Sequence, residues 1–105
     1  MGITGPEGHY LSRPESIEAD AVHRAITIAE FANCPVYIVH LMSKSASEEV
    51  MRAKQRGNQV FSETLAASLG VDGKGLWDTD WDKACRYVMS PPINPDPTTK
   101  THLMK

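Results

Sequence analysis

Cysteine is nearly absent from this chain. Cys34 and Cys85 stand far apart and form no C-x-x-C pair. That spacing excludes a disulfide framework and reads as two reduced core thiols in a cytosolic protein. An excess of one charge is also lacking: 11 Lys and Arg face 13 Asp and Glu, for a net charge of −2. There is therefore no electrostatic case for a nucleic-acid partner or an anionic membrane surface. No apolar run approaches the roughly 18 residues of a spanning helix. The N-terminus has neither the charged nor the apolar part of a signal peptide, and the expected location is the cytoplasm. What remains is a globular composition, 41% hydrophobic and 23% charged over 105 residues, the length of one small domain.

The most informative stretch is Cys34-Pro35-Val36-Tyr37-Ile38-Val39-His40. Four strand-favouring residues, Val36 to Val39, run without polar alternation, which suits a parallel strand buried on both faces between helices. The strand ends in His40. Before it, Pro14 opens a helix with Ser12 or Arg13 near its cap and Glu15 and Glu18 near its positive end. Ile17, Ala21, Val22, Ala25, Ile28, Ala29 and Ala32 form its apolar face through about Phe31, with His23 and Arg24 on the solvated side. Asn33-Cys34-Pro35 stops that helix. Met1 to Arg13, broken by Gly2, Gly5, Pro6 and Gly8, reads as a loop in which His9 is a polar packing residue.

After the strand, Ser45-Ala46-Ser47-Glu48 has the pattern of a capping box. The helix it opens has Ala46, Val50, Met51 and Ala53 on its inner face and a stop at Gly57. Gln59 to Glu63 forms a second short strand. Residues 66–75 read as an excursion from the core, and a short helix falls near Asp80–Arg86. Tyr87 to Pro92 is a brief extended piece, Asn94 to Thr99 a proline-punctuated loop, and Lys100 to Lys105 a tail with His102 on its surface. Helix–strand–helix–strand with short links is the repeating unit of a parallel α/β fold. Two strands cannot make a covered parallel sheet, and a full (β/α)₈ barrel needs about 250 residues. The expectation is that residues 1–105 are one piece of a larger barrel domain. A histidine at a strand end is then either a metal ligand or a side chain hydrogen-bonded to backbone.

Several segments resemble the dihydropyrimidinases and dihydropyrimidinase-related proteins. They are Gly2-Ile3-Thr4-Gly5-Pro6-Glu7-Gly8-His9, Leu11-Ser12-Arg13-Pro14-Glu15, Tyr37-Ile38-Val39-His40, Met42-Ser43-Lys44-Ser45-Ala46, and Ser90-Pro91-Pro92 with Pro95-Asp96-Pro97-Thr98-Thr99. The resemblance runs through nearly the whole chain, in order. It implies an α/β fold, part of a TIM-type (β/α)₈ barrel around strands six and seven of a metal-dependent amidohydrolase. The activity implied is zinc-dependent ring opening of 5,6-dihydrouracil or dihydrothymine to the N-carbamoyl-β-amino acid. Two Zn²⁺ ions per site are implied, with His40 matching one of the family's later histidine ligands, at the end of strand six. Ser90 matches the serine whose backbone, in bacterial and related members, contacts the substrate ring; the other reading of Ser90-Pro91-Pro92 is an ordinary proline-rich turn. A small cyclic amide is the implied partner, and a homotetramer the implied full-length assembly.

This chain departs from the family in Ser62-Glu63-Thr64, where relatives usually have Gly-Glu-Pro or Gly-Glu-Thr. The family's His-x-His pair, carboxylated lysine, first later histidine and aspartate have no counterpart in the chain, and Lys44 is not that lysine. Two alternatives stay open beside the dihydropyrimidinase reading. One is another cyclic amidase, a hydantoinase or allantoinase. The other is a non-enzymatic collapsin response mediator, an adaptor that typically carries lysine where this chain has His40.

Overall fold

A computed structural model describes residues 2–105; Met1, the start of the expected loop, lies outside the described residues. Four elements make the framework: α2 (Glu15–Phe31), β1 (Val36–Ile38), α3 (Lys44–Gln55) and β2 (Val60–Ser62). A short α1 (Glu7–Leu11) precedes them. β1 and β2 pair in parallel, with Val36 beside Val60, Tyr37 beside Phe61 and Ile38 beside Ser62. A parallel pair joined through a helix is the α/β unit that the element order implied.

Local chemistry sets the boundaries. Pro14, extended at φ −63° and ψ 154°, leads into α2 with no side-chain cap. The expected cap at Ser12 or Arg13 is therefore absent, and the Ser12 hydroxyl donates instead to His9 O. The cap of α3 lies two residues before the expected Ser45: it is Ser43, whose Oγ accepts the Ala46 N–H at 3.3 Å. The N–H and hydroxyl of Ser45 are committed elsewhere, to Glu15. Gly57 ends α3 at φ +88°, a left-handed conformation that glycine enters at little cost.

The core lies between α2, α3 and one face of the strand pair. It consists of Val22, Ile26, Leu41, Ala46, Val50, Ala53 and Val60, with Val36 and Ile38 packed against it. Only that face of the sheet is covered. Tyr37 is 57% exposed and Phe61 56% on the opposite face, and the strand ends at Ile38 with Val39 exposed. Burial on both faces is thus not met within this chain. The α2 stripe is also narrower than expected. Val22 and Ile26 are buried, whereas Ala21, Ala32, Ile17 and Ile28 are exposed and Phe31 is 93% exposed. α2 carries apolar residues round more of its circumference than α3 and the sheet can cover. Met51 on α3 is exposed for the same reason. So is Cys34 at the α2–β1 turn, while Cys85 is half-buried; both are free thiols but neither is a core residue.

The C-terminal half is more ordered than its glycines suggested. It holds α4 (Ala66–Gly70), a 3-10 turn at Gly73–Trp77, α5 (Trp81–Ala84), a 3-10 turn at Cys85–Tyr87 and α6 (Thr99–Leu103). Leu76, Ala84 and Ile93 form its buried centre, with Ser68 and Gly73 buried beside them. Residues 66–75 are therefore partly core. The tail is helical too, and His102 Nε2 lies 2.9 Å from Ser47 Oγ, docking α6 on α3 rather than facing solvent. In the segment expected as loop, α1 forms because Pro6 suits a first helical turn and Glu7 follows at its positive end.

Gly73 has a steric reason to be glycine. A Cβ there would lie 2.0 Å from Ile93 O, a backbone atom that cannot rotate away. Gly73→Ala is expected to destabilise the full-length protein by about 1–3 kcal/mol through overpacking. Gly70→Ala, with nothing within 4 Å of the added carbon, serves as the control in the same denaturation series.

The molecule is thin, 48 × 28 × 15 Å, with a radius of gyration of 15.0 Å. A compact chain of this length would have about 13 Å. No helix of the described residues is long and apolar enough to cross a membrane.

Candidate functional site

His40 sits just beyond the C-terminal end of β1 with φ +56°, the left-handed region that few non-glycine residues occupy. The backbone on either side is pinned. Glu63 N–H donates to Ile38 O at 3.0 Å, and Leu41 N–H donates to Glu63 O at 2.7 Å. Residues 39 and 40 are thereby pushed out of the ladder as a small protrusion, and the imidazole is exposed. Glu63, next to the departure at Ser62, also accepts the Tyr37 hydroxyl at 3.1 Å, and that bond pushes the phenol pKa up.

The far side of the His40 turn is held by α2. Met42 N–H donates to Glu18 Oε1 at 2.6 Å, and Ser45 N–H and Oγ–H donate to Glu15 Oε1 at 2.7 and 2.8 Å. The i, i+3 spacing places both carboxylates on one face of α2, opposite the amides that open α3. Burial pushes the Glu18 pKa up, while the Met42 amide and Ser43 partly offset it. The two glutamates read in the sequence as companions of their own helix's positive end; their work is at the start of α3. An acidic pair at i, i+3 preceding a strand–Ser-Lys-Ser unit is the signal that could have suggested this.

Ser90 lies on a different wall. With Pro91, to which it is joined by a cis peptide, it lines a cavity of about 260 Å³ together with Tyr10, Glu18 and Ser43. His40 does not line this cavity, which reaches the His40 turn only at Ser43. The structure therefore brings the two expected site residues to neighbouring surfaces but not into one pocket. His9 lies beside the Ser90 segment, its Nε2 2.6 Å from Met89 O, as a packing role implies.

Lys44 is committed to structure. Its Nζ donates to Asp96 Oδ2 at 2.6 Å and also to the Thr98 hydroxyl. The Lys44 ammonium first, then the Thr98 amide and hydroxyl, hold the Asp96 carboxyl well below the usual carboxylate range. A folded-state pKa below the unfolded value stabilises the fold above the ordinary 3.8 and is lost as pH falls further. Glu18, shifted upward, has the opposite sign: its contribution is present at low pH and lost as pH rises through its raised pKa. Asp96→Asn is accordingly expected to flatten the loss of stability between about pH 4 and pH 2 in acid titrations of the full-length protein.

A zinc centre needs about four ligands. Among the described residues no three His, Cys, Asp or Glu side chains come together to hold a metal ion. His40 is one donor, and this chain by itself does not fit a metal centre.

No family model matches the chain. It is 55% identical over 104 residues to the dihydropyrimidinase of Rattus norvegicus, an alignment covering 99% of this chain and 20% of the rat protein. Over nearly its whole length the chain is similar to the dihydropyrimidinases. A solved structure described as "D-Hydantoinase (Dihydropyrimidinase) from Thermus sp." superposes with a TM-score of 0.87 at 35% identity, over 93% of this chain and 21% of that one. The dihydropyrimidinase-related protein 5 of Homo sapiens is 45% identical over 99% of the chain and 18% of its own length. The chain thus spans about a fifth of the length of the curated relatives it matches. Its α/β fold is that of the corresponding part of the hydantoinase structures.

Proposed function

We propose that the chain is the segment around strands six and seven of a (β/α)₈ barrel in a longer cyclic-amide hydrolase. On this reading β1 is strand six and β2 strand seven, and the uncovered Tyr37–Phe61 face and the exposed stripe of α2 meet the rest of the barrel. The substrates are 5,6-dihydrouracil and dihydrothymine, opened by hydrolysis of a ring amide to the N-carbamoyl-β-amino acid. His40 is one ligand of a zinc centre whose other ligands lie on other parts of the longer protein, and Ser90 presents its backbone to the ring.

The single observation that carries this reading is the imidazole at position 40. It stands at the C-terminal end of a parallel strand, the end where α/β barrels place their chemistry. Its left-handed backbone points to function rather than folding convenience, since strained conformations of this kind cluster at active sites. The second reading, a non-enzymatic adaptor, draws on the 45% identity to the related protein 5. An adaptor has no metal to bind and no need of imidazole, so position 40 favours the enzyme. Incubating the full-length protein with 5,6-dihydrouracil and following the N-carbamoyl product tests the choice: product supports the hydrolase, and none from a folded protein supports the adaptor.

A further inference from the structure

The segment carrying Ser90 is short of backbone donors. Pro91 and Pro92 have no N–H, so two of the residues between Met89 and Asn94 have nothing to donate. The segment is instead tied at both ends by side chains from the start of the chain. At its beginning, Met89 O accepts from His9 Nε2–H at 2.6 Å. That donation leaves Nδ1 to accept from Arg13 Nη1 at 3.3 Å. At its far end is Asn94, a buried polar side chain whose orientation is fixed by its partners. Asp96 N–H at 2.9 Å requires the oxygen of the Asn94 amide, so the NH₂ faces Glu15 and donates to Oε2 at 2.8 Å. The Asn94 carbonyl accepts Gly73 N–H at 3.0 Å.

Glu15 uses both carboxylate oxygens across this junction. Oε2 takes Asn94, and Oε1 takes the N–H and hydroxyl of Ser45 in the first turn of α3, five residues after His40. One carboxylate therefore joins the Ser90 segment to the turn that carries His40. Hydrogen bonds to a charged acceptor are the strong kind, and here they span elements 30 and 79 residues apart in sequence.

We propose that Glu15 is a positioning residue: through Asn94 it holds the Ser90–Pro92 segment at a fixed place relative to the His40 turn, and this bond sets how tightly the substrate ring is gripped. The assignment rests on the cyclic-amide hydrolase reading above. Glu15 lines the same cavity as Ser90, and in this role it acts through its bonds to Asn94 and Ser45. A residue of this kind governs substrate binding more than the rate of the bound complex, because loosening one wall of the pocket costs ring contacts before and during reaction alike.

The test is a reciprocal exchange of donor and acceptor in the full-length protein. E15Q keeps an oxygen for Ser45 but turns an NH₂ towards the Asn94 NH₂, donor against donor. E15Q/N94D restores the bond in reverse: the new amide at position 15 donates to one carboxylate oxygen at position 94, while the other oxygen still accepts Asp96 N–H. For E15Q, KM for 5,6-dihydrouracil is expected to rise about tenfold, the loss of one charge-assisted hydrogen bond, with kcat within about twofold. The double variant should return most of that loss. Amide hydrogen exchange at Gly73, which reports the Asn94 carbonyl without any turnover, should speed up in E15Q and slow again in E15Q/N94D. Unchanged KM and unchanged Gly73 exchange in E15Q, or a double variant no better than the single, overturns the proposal. If the wild type opens no ring, the hydrolase reading fails and the Gly73 exchange pattern alone decides the latch. Should E15Q not accumulate as folded protein, N94D breaks the same bond from the other side, carboxylate against carboxylate, while keeping an oxygen for Asp96 N–H, and is read in the same way.

Discussion

In the full-length protein His40→Ala should lower ring opening by at least about a thousandfold, since disturbing even the outer partners of a metal ligand commonly costs 10–100-fold. Three substitutions together separate a chemical role from a backbone one. At φ +56° an alanine carries the left-handed penalty of about 1–2 kcal/mol, whereas glycine does not. His40→Gly should therefore be more stable than His40→Ala by about 1 kcal/mol in denaturant titration, yet equally inactive. Asparagine tolerates the left-handed region but has no imidazole, so His40→Asn should keep the fold and lose both turnover and bound zinc. Retained activity in the glycine or asparagine variant would mean that position 40 serves the turn and not the chemistry.

The 105-residue chain expressed alone should open no ring at all and should self-associate. Fourteen large apolar or aromatic side chains are exposed among the described residues, including Phe31 at 93%, Trp81 at 64% and Ile28 at 62%. Tyr37 and Phe61 lie side by side on an uncovered sheet face, and among the described residues each of the two strands has only the other as partner. Exposed apolar faces and unpaired strand edges are the usual route to association. Size-exclusion chromatography should show assemblies larger than the 11.6 kDa monomer, and a hydrophobic dye should bind strongly. A monodisperse monomer with stoichiometric zinc and turnover of dihydrouracil would contradict this, because no three metal-binding side chains come together among the described residues.

The helix–strand–helix–strand order was legible because most of its boundaries have a local cause. Pro14 starts α2, Pro35 ends the link to β1 and Gly57 stops α3. Burial was less legible for a physical reason. Apolar periodicity on α2 marks every surface that some neighbour must cover, and within this chain only the stripe at Val22 and Ile26 has one. Ile17, Ile28 and the outer strand face carry the same signal without the partner. The capping of α3 was misplaced by the same kind of long-range event: Ser45 looked like a cap, but Glu15, 30 residues upstream, takes its N–H and hydroxyl and leaves Ser43 to cap the helix. The C-terminal half misled because its glycines suggested an excursion. Gly73 is there for close approach to Ile93, not for looseness. Of the candidate site, His40 and Ser90 could be named from motifs, whereas the Glu15–Asn94 and His9–Met89 bonds join residues about 80 apart, beyond any local pattern.

Ring opening itself is the most direct measurement. The full-length protein, supplied with 5,6-dihydrouracil, is expected to yield the N-carbamoyl-β-amino acid, and the same protein carrying His40→Ala is expected to yield none. Absence of product from a folded, zinc-supplied wild type would contradict the account and place the chain among the non-enzymatic adaptors.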